Sequence, residues 1–378
     1  MTRRDRIMAT LKGESIDRPA VSFYELNGLD EDPDFDDPYN IYNDPSWRPL
    51  IELTRERTDH IVMRGVGPNL EEVLGIRAVE TVVETETGRY IKVLIQGNHC
   101  EFVSEKRHDK AVHTVWVTKH FLETPQDMQD YLDLKQPALP PVIDLETLLD
   151  TERRIGHSGV MMLDIPDPLG CVASLFEMGQ YTINALTEPV LFHQLLELYA
   201  EAIYRRVELI GKALPGRLWR IYGPEYASPP YLPPSLFEEY VCRYVTPMIE
   251  IIHRHEGYVR IHSHGNLKAI LPLIASMEPD ALDPIEPPPL GDVTLSFVRQ
   301  QYGRNMVLFG NLEITDIENM PTNRFREKVV QALDEGTSGS GRGFVLMPSA
   351  SPYGRRLSAQ AMVNYEVIID TVYSMFGS

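Results

Sequence analysis

The feature that most constrains this chain is an alternation between short apolar runs and longer amphipathic ones. Eight runs of four to seven residues read as strands: Pro19–Glu25, His60–Arg64, Gly159–Asp164, Arg217–Gly223, Tyr258–Ser263, Ala281–Ile285, Met306–Gly310 and Phe344–Met347. Their length and continuous apolar character suit strands buried on both faces of a parallel sheet. Apolar residues recur at helical spacing over Ser46–Arg57, Glu188–Leu214, Pro233–Glu256, Leu267–Met277, Val293–Tyr302, Asn323–Glu335 and Ser358–Phe376. Strands separated by helices form βαβ units, and eight such units predict an α/β fold, a closed (β/α)8 TIM barrel. A doubly wound open sheet is the alternative, but no GxGxxG follows the first strand.

About a hundred residues separate the second and third strands and break the rhythm. Within them Ala78–Gln96 alternates apolar and polar residues, with Thr87-Gly88-Arg89 as a hairpin turn, and His113–Phe121 alternates too. The expectation is a single barrel domain over 1–378 with a β-hairpin insertion at about 70–122. The acidic run Asp30–Asp37 reads as a solvated loop. The Gly-rich stretch Gly336–Gly343 lacks the GxxxxGK[ST] order and precedes a strand, so it reads as a helix-to-strand connection.

Composition narrows the function classes. Of 378 residues, 36 are Lys or Arg and 55 are Asp or Glu, a net charge of −19. Such a charge disfavours nucleic acid and anionic membranes, which bind through Lys and Arg. No apolar run is long enough to span a bilayer, and the basic start is not followed by the apolar run of a signal peptide. Three cysteines, none in a CxxC pair, fit a reducing compartment, and a cytoplasmic location is expected. GxSxG and HExxH are both absent.

Strand alternation locates candidate chemistry. In Tyr258–Ser263, Val259 and Ile261 share one face, while Arg260, His262 and, just beyond, His264 share the other. Apolar residues should meet the helices, so both histidines should point inward at the strand's C-terminal end, where barrel active sites lie. Two imidazoles at i and i+2 can bind one metal or can simply hydrogen-bond. Glu286 ends the following strand as a third ligand or a base, and Glu225 stands just past Arg217–Gly223. In that strand Arg220 and Tyr222 face in. An interior arginine needs a partner, and Asp164 is one candidate.

These residues carry a resemblance. Thr2–Val21, the Ser235–Pro247 helix, His262-Ser263-His264-Gly265-Asn266, Asp283–Asp292 (DPIEPPPLGD) and Leu308-Phe309-Gly310-Asn311 resemble the uroporphyrinogen decarboxylase superfamily. That superfamily contains decarboxylases and corrinoid-linked methyltransferases. The decarboxylase branch carries an arginine-rich segment after its first strand, where this chain reads Phe23-Tyr24-Glu25-Leu26-Asn27-Gly28. The methyltransferase branch is the nearer one. It holds zinc with an HxC motif and a later cysteine. Here His262 matches the histidine, His264 replaces the cysteine, and Met347–Ser351 supplies none. The resemblance implies a methyltransferase acting on a small methoxy or methylamine substrate, with a corrinoid protein as methyl partner and a subunit able to form a homodimer. It implies a zinc on His262, His264 and Glu225, catalytic roles for Glu286, Asp164 and Tyr222, and a substrate pocket lined by Glu25, Arg64, Tyr353 and Asn311. The alternatives are a metal-free decarboxylase and a non-catalytic binding member of the fold.

Overall fold

The computed structural model describes residues 1–97, 99–137 and 139–377. Strands Ala20–Val21 (β1) and His60–Gly65 (β2) come first, then Val79–Glu84 (β3), Arg89–Gln96 (β4), Glu101–His108 (β5) and Val115–Lys119 (β6). Gly159–Pro166 (β7), Leu218–Tyr222 (β8), Tyr258–His262 (β9), Ala281–Asp283 (β10), Val307–Leu312 (β11) and Gly343–Pro348 (β12) follow. Eight of these make one parallel sheet in the order β1-β12-β11-β10-β9-β8-β7-β2. It curls so that β1 returns to β2, where the Asp59 N–H donates to the Val21 carbonyl at 2.7 Å. All eight expected barrel strands are present, although the first is shorter than its apolar run.

The core divides in two, as a barrel requires. An outer cluster lies between strands and helices and contains Trp219, Ile221, Val259, Ile261 and Leu282. An inner cluster contains Ala20, Ile61, Val160, Met162, Leu218, Ala281, Val307, Phe309, Val345 and Met347. The helix Arg3–Lys12 adds Ile7 and Leu11 to it and so plugs the N-terminal end. A Thr2–Asp5 capping box starts that helix, and Gly13 ends it at φ 71°, a left-handed conformation that favours glycine. Inward positions are thus apolar near the strand N-termini. Toward the C-termini they become Asp164, Arg220, Arg260, His262 and Asp283, which concentrates polarity at one mouth.

Strands β3 to β6 form a separate antiparallel sheet between β2 and β7, in the order β3-β4-β5-β6. A β-rich segment thus lies where the rhythm of the chain breaks, as a four-stranded sheet where a hairpin is expected. The helix Thr322–Thr337 leads through the Gly-rich stretch into β12, as expected. The acidic run is less free than a solvated loop. Asp30 pairs with Arg64 and Asp34 with Arg48, while Glu31 is buried and accepts from the Asn27 N–H.

Candidate active site

Register sets the inner row of the mouth. Asp164 of β7, Arg220 of β8 and Arg260 of β9 are side by side, and His262 is level with Asp283 of β10. Asp283 is fully buried and serves two partners. Arg260 Nε lies 3.0 Å from Oδ1, and His262 Nδ1 lies 2.9 Å from Oδ2. Burial opposes the charge on Asp283, but Arg260 and His262 hold its carboxyl well below the usual range. Burial pushes His262 down to about 3 against the pull of Asp283, so its ring is neutral near pH 7. A carboxylate only accepts hydrogen bonds, so Nδ1 carries the proton and Nε2 keeps a lone pair. The ring of Tyr24 stacks parallel to that of His262 at 5.9 Å, and His264 meets His262 edge-on at 4.6 Å.

Arg260 Nε, although 3.0 Å from Asp283 Oδ1, lacks hydrogen-bond alignment, and among the described residues Arg260 Nη1 has only the Met347 sulfur at 3.9 Å. Arg220, the more exposed of the two guanidiniums at 7% against 2%, is as poorly satisfied. A guanidinium offers five N–H donors. Among the described residues, its one hydrogen-bond acceptor is the Met63 sulfur, 2.9 Å from Nη1, and sulfur is a weak acceptor. Asp164 Oδ1 is 3.5 Å from Nε without hydrogen-bond alignment, and both atoms are buried without a partner. The guanidinium also lies over the rings of Tyr24 and Tyr222, at 5.5 and 5.4 Å. Burial acts against the charge of Arg220, but Tyr24, Asp164 and Asp283 keep its pKa above the ordinary value. Arg220 therefore stays charged.

A second group stands nearer the solvent. His264 Nδ1 is 2.8 Å from Glu286 Oε1, whose other oxygen accepts from the Gly265 N–H at 2.8 Å. Burial alone would lower the His264 pKa, but its bond to Glu286 raises it, and Glu286 is lowered in return. Glu225 is partly buried, accepts from the Gly223 N–H, and is raised by desolvation. Glu313 follows β11. Its Oε2 accepts from Ser349 Oγ at 3.1 Å and its Oε1 is buried without a partner. Desolvation, with the neighbouring charge of Glu286, pushes Glu313 up to about 7.

Placement of the sequence candidates is uneven. His262, His264, Glu286, Asp164, Tyr222 and Glu225 all gather at the mouth, as does Glu25, which accepts from Ser351 Oγ at 3.2 Å. Asn311, the penultimate residue of β11, donates to the Ile285 carbonyl. Arg64 is a correction: it reaches Asp30 and Thr151 of the helix Leu145–Ile155, on the outside of the barrel wall, while Met63 takes the inward position. Tyr353 is a second correction, since the residue is 59% exposed and, among the described residues, its side chain makes no hydrogen bond to those of the mouth. Asp283, Arg220, Glu313 and Tyr24 were not singled out as site residues. Asp283 shares an inward face with Ala281, and Glu313 stands just past a strand end like Glu286, so alternation could have found both.

The expected zinc does not fit these side chains. Among the described residues no three His, Cys, Asp or Glu come together to hold a metal. His262 and His264 each commit Nδ1 to a carboxylate, and Glu225 turns to the Gly223 amide. Two free imidazole nitrogens are fewer than the three or four protein ligands of a zinc centre. The three cysteines lie elsewhere, at Cys100 in the insertion and at Cys171 and Cys242 in helical segments.

Comparison with known proteins agrees with the barrel fold. The model of the uroporphyrinogen decarboxylase (URO-D) family matches residues 113–353, more than half of the chain and all of β7 to β12. A methyltransferase from Methanosarcina mazei superposes with a TM-score of 0.61 at 14% identity, covering 100% of this chain and 99% of that one. At that identity the likeness establishes the fold. A structure of D-psicose 3-epimerase in the presence of D-fructose matches far less well, with a TM-score of 0.38, 9% identity and 63% and 86% coverage, and no argument rests on it. No curated protein sequence matches the chain.

Proposed function

Because the chain belongs to the uroporphyrinogen decarboxylase family, we propose that it is a methyltransferase-like enzyme that removes a methyl group from a small methoxy or methylamine substrate at the barrel mouth. The observation that carries this reading is the end-to-end superposition on a methyltransferase, and the paired histidines at the mouth are consistent with it. A corrinoid on a partner protein supplies the methyl acceptor. His264 supplies the proton. Glu286 favours the charged form of that imidazole, and the His264 side chain is 37% exposed at the mouth. As the methyl leaves a methoxy substrate, the oxygen keeps the electron pair of the broken bond and takes the proton from His264 Nε2. Neutral His262, held by Asp283, orients the substrate through its free Nε2.

The test mixes the protein with free cob(I)alamin and a panel of methoxy and methylamine compounds, and follows methylcobalamin by absorbance. Methylcobalamin should form with at least one substrate. For a methoxy substrate, His264→Gln should slow it about 100-fold or more, in the range for loss of a general acid. Because the His264 pKa lies above its ordinary 6.5, the wild-type rate should fall as pH rises through that raised value. No methylcobalamin with any compound would overturn the reading.

Decarboxylation without metal is the second reading, favoured by two buried guanidiniums at the mouth. It would release carbon dioxide from a carboxylated substrate in the absence of any cobalamin.

A further inference from the structure

Arg220 and Arg260 are adjacent in register and both at least nine-tenths buried. A buried guanidinium without acceptors is expensive, and native structures satisfy such donors. Asp283 hydrogen-bonds His262 and pairs with Arg260 by charge alone, without hydrogen-bond alignment. Arg220 is the more exposed of the two guanidiniums, 7% against 2%. Asp164 is the remaining inward carboxylate of the row, and it misses hydrogen-bond geometry with Arg220. The nearest acceptor to Nη1 is a thioether sulfur on the partly exposed Met63, so this side of the fork faces the mouth.

We infer that the substrate of this site carries a single carboxylate, which binds the fork of Arg220 at the Met63 side of the barrel mouth. A planar carboxylate matches the parallel N–H bonds of a guanidinium. A phosphate would bring a second negative charge close to Asp164, Asp283 and Glu25, all of which already act on Arg220. Tyr24, Tyr222 and Met63 offer rings and a thioether for the apolar body of the substrate. The inference rests on the proposed function only in taking the barrel mouth as the substrate site, and it names the group by which that substrate is held.

Calorimetry with benzoate, benzamide and phenyl phosphate tests it, because these share a ring and differ in charge. Benzoate should bind the wild-type protein roughly tenfold or more tighter than benzamide, the scale of one charge-assisted hydrogen bond, and tighter than phenyl phosphate. Arg220→Gln should remove that preference. Should Arg220→Gln fail to fold, Met63→Glu serves in its place. It puts a resident carboxylate at the fork, so the thermal midpoint should rise and benzoate binding should weaken about tenfold or more. Equal binding of benzoate and benzamide, tighter binding of phenyl phosphate, or unchanged benzoate binding in either variant would overturn the inference. The measurement needs no methyl acceptor. A protein that makes methylcobalamin without preferring benzoate would overturn this inference alone, and the reverse result would overturn only the methyl-transfer reading.

Discussion

Glu313 shows how burial sets the chemistry of a single residue. In an unfolded chain its carboxyl titrates near 4.5, and in the barrel desolvation and Glu286 push it up to about 7. The folded state therefore binds the proton more tightly. Its contribution to stability is full below pH 4.5 and is lost as pH rises through 7, by at most about 3 kcal/mol. Glu313→Gln keeps the shape of the protonated carboxyl without titrating. Urea unfolding should show the variant gaining stability over wild type at pH 8 and little at pH 5. An equal difference at both values would remove this account. Inward residues such as His262 and Glu286 were legible because alternation along β9 and the end of β10 is clean. Arg64 was misplaced because β2 is apolar on both faces, as buried parallel strands are, which hides the parity that puts Met63 inside. The zinc expectation rests on residue types, but ligation needs three or more side chains to converge, and among the described residues no such group forms.

At the scale of elements, the barrel closes where its shortest strand meets β2. Ala20–Val21 contributes two residues, and Asp59 strengthens the junction. Fully buried, Asp59 accepts from Arg6 of the N-terminal helix, from Arg18 Nη1 at 2.9 Å and from the Val21 N–H at 2.9 Å. One side chain thus ties the plugging helix, β1 and the start of β2. Asp59→Asn removes the charge facing two buried guanidiniums and should cost about 3–5 kcal/mol in chemical unfolding. A loss under about 1 kcal/mol, the size of a surface pair, would show that the seam does not depend on it. The strands and the long helices, such as Pro189–Ala213 and Ala359–Phe376, were readable from periodicity. The seam was not, because Arg6, Arg18 and Asp59 are distant in sequence and meet only when the sheet curls.

For the whole molecule, the insertion is a second sheet with its own attachment. β3 and β6 are exposed along their length, while Ile95 of β4 and Phe102 of β5 are buried. Phe102 meets Tyr131 of the helix Pro125–Asp133 edge-on at 5.6 Å. Phe102→Ala should cost about 3–5 kcal/mol at this contact. Hydrogen exchange should show protection falling in β3 to β6 while β7 to β12 keep theirs. Loss of protection throughout would mean that the sheet and barrel unfold together. No described helix is long and apolar enough to cross a membrane.

The sequence by itself determined the barrel, the site of its insertion and the end of the barrel at which charged side chains gather. These depend on period, and a period of two or 3.6 residues is written locally in the chain. Only the tertiary structure decided which charges are paired. Asp283 hydrogen-bonds His262 and pairs by charge with Arg260, Glu286 binds His264, and Arg220 and Arg260 are each left with a sulfur as hydrogen-bond acceptor. Pairing depends on strand register and side-chain reach across neighbouring strands, and nothing local in a strand records what its neighbour places opposite.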